Sequence, residues 1–207
     1  MMPGIDIILN LLKNKYPDPV ISLKAKNSLE LLVATILSAQ CTDTRVNIVT
    51  NTLFKKYRKA KDYARADLKS LEQDIRSTGF YHNKAKNIAG AADKISKDFR
   101  GRVPETMDDL LELPGVARKT ANVVLYNAYN KNEGIAVDTH VARVSQRLGL
   151  TKNSVPEKIE QDLMSQLDKK EWGAFSLRLI AHGRDVCHAQ KPKCSECFLK
   201  GFCSYYG

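Results

Sequence analysis

Apolar residues recur at helical spacing along nearly the whole chain, and no run of period-two alternation bounded by hairpin turns interrupts them. Such a pattern restricts the chain to helices packed on helices, so the expected fold is all-α. Asn27 with Glu30 reads as a capping box ahead of Leu31, Leu32, Ile36 and Leu37, while Asp67, Asn83 and Thr106 are candidate caps for three later helices. Gly79, Gly101, Gly134 and Gly149 mark helix ends or turns. There is no low-complexity segment, charge block or fixed-period repeat, so no linker announces itself by composition.

A chain of 207 residues with 43% apolar content can bury one full core or two small ones. Lys and Arg number 33 against 23 Asp and Glu, and the resulting formal charge of +10 favours a polyanionic partner through phosphate contacts and counterion release. On charge alone a merely basic soluble protein is the less favoured alternative. The N-terminal run Ile5 to Leu12 is broken by Asp6 and Asn10 and lacks a small-residue cleavage site, so it is expected to be neither a signal peptide nor a membrane span. A cytoplasmic, nucleoid-associated location follows as the expectation. Cys41 stands alone, whereas Cys187, Cys194, Cys197 and Cys203 crowd together near the C-terminus, which is a metal-site distribution rather than a disulfide framework.

Three segments carry chemistry. In Leu111-Glu112-Leu113-Pro114-Gly115-Val116-Ala117-Arg118-Lys119-Thr120-Ala121, Pro114 and Gly115 force a tight break, and a new helix should begin near Ala117 or Arg118. Its unpaired N–H groups and positive dipole end form a natural phosphate site. Read alone, this is an ordinary helix connection with Lys119 solvated. In Val137-Asp138-Thr139-His140-Val141, Asp138 precedes a helical stretch and would serve as an N-cap, worth about 1 kcal/mol. The cysteine set reads C-x6-C-x2-C-x5-C, and four thiolates can hold either a tetrahedral zinc or a cubane cluster; composition does not choose between them.

Together these segments resemble the endonuclease III family. The first resembles the helix-hairpin-helix signature L-P-G-V-G-x-K-T-A, departing from it at Ala117, where the family pattern has a second glycine. That departure bears on how closely the backbone approaches phosphate, or on a positive-φ conformation. The second matches V-D-T-H-V. The cysteine spacing, with Ala181-His182-Gly183-Arg184 before it and Lys191-Pro192-Lys193 within it, resembles the family's 4Fe-4S loop. Leu37-Ser38-Ala39-Gln40-Cys41-Thr42-Asp43 and Gly79-Phe80-Tyr81-His82-Asn83-Lys84-Ala85 resemble the two loops that enter the duplex.

The resemblance implies a helix-hairpin-helix DNA glycosylase fold, with a six-helix domain over 22–132 and a second domain from 1–21 plus 133–207, flanking a DNA-binding cleft. It implies base excision with AP lyase activity on oxidised pyrimidines in double-stranded DNA, by a monomer. Lys119 is then the nucleophile: a neutral amine can displace the base at C1′ and leave a Schiff base that supports β-elimination. The helix N-terminus, Arg118 and partial burial are each expected to disfavour its ammonium form. Asp138 is the catalytic carboxylate, and His140 is expected to be packed rather than a base. Gln40 and Phe80 fill the hole left by the extruded base. Gly115, Val116 and Ala117 meet the backbone of the DNA, as do Lys191 and Lys193, with Lys200 beside them. Cys187, Cys194, Cys197 and Cys203 hold the cluster. Two alternatives share these features: a thymine or uracil mismatch glycosylase of the same fold, against which Lys119 argues, and a non-catalytic metal-stapled DNA-binding module, against which Lys119 and Asp138 argue jointly.

Overall fold

The computed structural model describes residues 4–206, so 1–3 and 207, which belong to the second expected domain, lie outside it. The described residues are all helical: α1 (Ile5–Lys15), α2 (Ser28–Leu37), α3 (Asp43–Lys56), α4 (Ala60–Ala64), α5 (Leu68–Ile75), α6 (Tyr81–Asp98), α7 (Met107–Leu111), α8 (Arg118–Tyr129), α9 (Thr139–Arg147), α10 (Pro156–Met164) and α11 (Trp172–Asp185). Short 3-10 turns join several of them, and no strand forms among these residues. None of these helices is long and apolar enough to cross a membrane.

The backbone divides into two units, one spanning Ile21–Lys131 and the other formed by the segments before and after it. In the central unit α2 is buried along most of its length, from Leu31 to Leu37, and around it lie Tyr63, Leu71, Ile75, Ile88, Ile95, Leu110 and Val124. Each such side chain contributes roughly 1.5–3 kcal/mol by leaving water. Between Ile21 and Lys131 there are seven α-helices where the family resemblance implies six; α4 and α7 are the shortest, at five residues each. In the second unit, Ile8 and Leu12 of α1 pack with Val141, Val144, Ile159, Leu163, Phe175, Leu179 and Leu199. The apolar N-terminal run is thus a core helix. Its tie to α11 is polar as well: Lys13 meets Glu171 at 2.7 Å, and buried Arg178 donates to the carbonyls of Tyr16 and Pro17 at 3.1 and 3.2 Å.

Caps follow the sequence in part. Asp67 and Thr106 accept from Ser70 N and Asp109 N, as their side-chain chemistry dictates. Asn27 accepts from Glu30 N, but the Glu30 carboxylate returns to Lys26 N rather than to Asn27 N, so the box is offset by one residue. Asn83 caps nothing: α6 begins earlier, behind Phe80, and places Asn83 inside its first turn. Gly79 ends the preceding 3-10 turn, in keeping with its expected place at a helix end.

Candidate functional site

The hairpin of the central unit is built from α7, the turn 112–117 and α8. Leu113 N donates to Leu110 O and Val116 N to Leu113 O, both at 3.1 Å, which folds the turn tightly. Gly115 sits at φ +77, and a Cβ there would meet Asn87 atoms at 2.7–2.8 Å, so only glycine fits. Val116 is buried in the core and its N–H is spent within the turn. Ala117 is the N-cap of α8 at φ −95, ψ 170. This is ordinary extended backbone, so alanine at the position of the family's second glycine carries no left-handed strain. Its methyl cannot accept a hydrogen bond, and the first N–H groups of α8 have no acceptor within the helix. Lys119 stands exposed on that first turn. The partial burial expected for it is absent, because α8 turns this position away from the buried face formed by Ala121, Val124 and Leu125.

Two further tips in the same unit share an unusual backbone. Gln40 and Phe80 have φ of 52 and 48, a region that costs a non-glycine residue on the order of 1 kcal/mol, and both are exposed, Phe80 by 64%. Phe80 is the N-cap residue of α6, and Gln40 lies between α2 and α3, whose start is capped by Thr42. Cys41 is half-buried against the core. Lys84, in the first turn of α6, is buried beneath these tips; its charge hides it from any reading that expects lysine on a surface.

Asp138 belongs to the other unit, where it is the N-cap of α9. One carboxylate oxygen accepts from both His140 N and Val141 N at 2.8 Å. The cap therefore rests on a single carboxylate oxygen. Burial holds the His140 imidazole below its usual range, against the pull of Asp138, and its Nδ1 lies 3.1 Å from Arg143 Nη2. His140 is therefore packed against the α9 surface, as its neighbours dictate.

The four C-terminal cysteines line one cavity, with Arg147, Leu148 and His182 among its walls. Within the described residues no three Cys, His, Asp or Glu side chains close on a common point as a single ion requires. Tetrahedral zinc needs its sulfurs roughly 3.8 Å apart, given a metal–sulfur bond of about 2.3 Å. A cubane takes one thiolate on each iron around a wider void, and the ring of thiols about this cavity suits it. Helix α9 supplies two arginines one turn apart that sequence reading left unassigned. Arg143 donates to Cys187 O at 2.9 and 3.1 Å, while Arg147 donates to Cys187 Sγ at 3.3 Å and to His188 O at 2.7 Å. The Arg147 carbonyl accepts from Cys203 Sγ at 3.3 Å, so one residue touches both ends of the loop. Their spacing of four on one helix was the available signal. His182, held at about 4 by burial, is neutral and sits 3.7 Å from Cys197 Sγ. Lys191 and Lys193 are exposed, Lys191 at φ 48, whereas Lys200 folds back onto Ser195 O at 3.1 Å.

Comparison with known proteins follows the same lines. Residues 33–169 match the family described as HhH-GPD superfamily base excision DNA repair protein, and residues 187–203 match the iron-sulfur binding domain of endonuclease III. The chain is 55% identical to the endonuclease III of Synechocystis sp. over 95% of its length and 90% of that protein, and 48% identical to the endonuclease III of Bacillus subtilis over 96% and 91%. Among solved structures it is similar to a trapped endonuclease III-DNA covalent intermediate, an estranged-adenine complex, with a TM-score of 0.94 and 45% identity over 98% of this chain and 95% of that one.

Proposed function

Because the chain belongs to the endonuclease III family, within the HhH-GPD superfamily of base excision DNA repair proteins, we propose that Lys119 is its Schiff-base nucleophile, with Asp138 as the carboxylate that serves it. As a member of that family it is a DNA glycosylase with AP lyase activity and carries a 4Fe-4S cluster. Its partner is damaged duplex DNA, with oxidised or ring-saturated pyrimidines as the bases removed. The absence of a membrane-crossing helix among the described residues and the bacterial relatives support action in the cytoplasm, on the nucleoid.

The observation that carries the assignment is Lys119 exposed on the first turn of α8, beside N–H groups that can hold a phosphate. The neutral amine attacks the deoxyribose C1′, the glycosidic bond breaks, and the base leaves with its electron pair and a proton. Opening of the sugar gives the Schiff base. Removal of a C2′ proton then expels the 3′ phosphate, and water releases the enzyme from the imine. Asp138 stabilises positive charge on the opening sugar and moves protons with the oxygen that its helix cap does not use.

Cys187, Cys194, Cys197 and Cys203 would hold the cluster, and the ring of thiols about their cavity supports this. When bound, the cluster supplies iron–thiolate bonds that close the loop. The loop then presents Lys191 and Lys193 to the DNA backbone, while Gly115 and Ala117 let the hairpin approach it. Borohydride reduction on abasic-site DNA tests the chemistry: the wild type should give a covalent adduct and Lys119→Gln none. Binding of the same DNA should survive that change, which leaves the hairpin donors in place. An adduct that persists in Lys119→Gln would assign the nucleophile to another amine.

A further inference from the structure

Lys84 is 4% exposed, and burial is the main influence on its amine, with Cys41 the charge partner acting against it. Its Nζ donates to Leu37 O and to Thr78 O, both at 2.8 Å. Leu37 is the last residue of α2, and Thr78 closes the 3-10 turn Arg76–Thr78. A single buried ammonium therefore caps two helix C-termini, where carbonyls lack partners and the dipole is negative. From the first springs the tip at Gln40, and from the second the tip at Phe80. The backbone of Lys84 adds a third tie, its N–H donating to Phe80 O at 3.1 Å.

Burying an ammonium is costly, and desolvation pulls the Lys84 amine below the ordinary lysine range, with Cys41 opposing it. A staple needed only for packing could be methionine. What the charge adds is simultaneous capture of two carbonyls from separate loops, which sets the distance between two left-handed tips that strain would otherwise relax. We propose that Lys84 is a positioning residue that fixes the spacing of the Gln40 and Phe80 tips and thereby controls extrusion of the damaged base. This rests on the assignment of those tips as the groups that enter the duplex.

The test uses the full-length holoenzyme and a duplex with 2-aminopurine opposite a ring-saturated pyrimidine, whose fluorescence rises when it unstacks. Lys84→Met should lower single-turnover base release at least tenfold and suppress the fluorescence rise. Duplex affinity should change less than threefold, as should borohydride trapping on abasic DNA, where no base need be extruded. The pair Gln40→Ala/Phe80→Ala should likewise lose base release and the fluorescence rise, and adding Lys84→Met to it should cost nothing more. Normal extrusion by Lys84→Met beside a defective tip pair overturns the role of Lys84 alone. Normal extrusion by the tip pair overturns the wedge assignment and the proposal with it. Equal loss of base release and abasic trapping in Lys84→Met would show a general folding role instead. Should Lys84→Met not be recovered folded, Lys84→Gln, which keeps a donor at shorter reach, is measured in its place against the same outcomes.

Discussion

Asp138 caps α9 through one oxygen that accepts from two helix N–H groups, so structure and chemistry can be separated by a single substitution. Asparagine caps as well as aspartate. Asp138→Asn should therefore leave the melting temperature nearly unchanged while single-turnover base release falls by orders of magnitude; near-normal release would remove the carboxylate from the mechanism. The hairpin allows a similar contrast. Gly115→Ala puts a Cβ into Asn87 at a positive φ, which should cost on the order of 1–3 kcal/mol and weaken duplex binding. Ala117→Gly touches an extended residue and should hold or improve duplex affinity. Titration of one labelled duplex with both variants checks the pair. The opposite order would mean that the approach to phosphate is made at Ala117.

Helix α9 carries functional groups at both ends: Asp138 at its start and Arg147 at its finish. Arg147 binds the loop through His188 O and Ala189 O, meets Cys187 Sγ, and lies 4.4 Å from the Tyr205 ring. Lysine would keep the charge but lose the planar fork that reaches several acceptors at once. Arg147→Lys should therefore lower the iron retained after gel filtration, seen as reduced iron per chain and reduced brown colour, while α9 itself still forms. Full iron retention would show that the thiolates hold the loop without help. Close passage of α11 past α9 depends on Gly183, where a Cβ would meet His140 Nδ1 at 2.9 Å.

For the whole molecule, charge and metal make separate demands. The net +10 should make affinity for undamaged duplex fall steeply with salt, with a log-log slope of about −0.9 for each phosphate neutralised; a flat response would contradict phosphate binding. Protein isolated without added metal should hold about four irons per chain, and a colourless protein with one zinc would contradict the cubane. Cys197→Ser should first cost iron and solubility, because Cys187, Cys197 and Cys203 pack against the core of their own unit together with Phe198 and Phe202.

Helical periodicity, the Pro-Gly break, the order of motifs and the cysteine spacing are local properties of the chain, and the sequence by itself determined them. They specify an all-helical chain, a hairpin that starts a helix at Arg118, a cap at Asp138 and a thiol-rich loop. Reading the catalytic role of Lys119 into that pattern needed the family resemblance, because a lysine after a turn is most often simply solvated. Asn83 and Glu30 show where local signals fail: α6 begins two residues before Asn83, and the Glu30 carboxylate accepts from Lys26 N rather than from the N–H of the cap residue. Lys84 was illegible for a different reason, and Arg143 and Arg147 offered only their spacing of four on one helix. Their partners are mostly carbonyls outside their own helix, and any residue can offer a carbonyl, so no residue pattern names the contact. Only the packing of α6 against the ends of neighbouring segments, and of α9 against the cysteine loop, decided which cations would be spent on holding the loops in place.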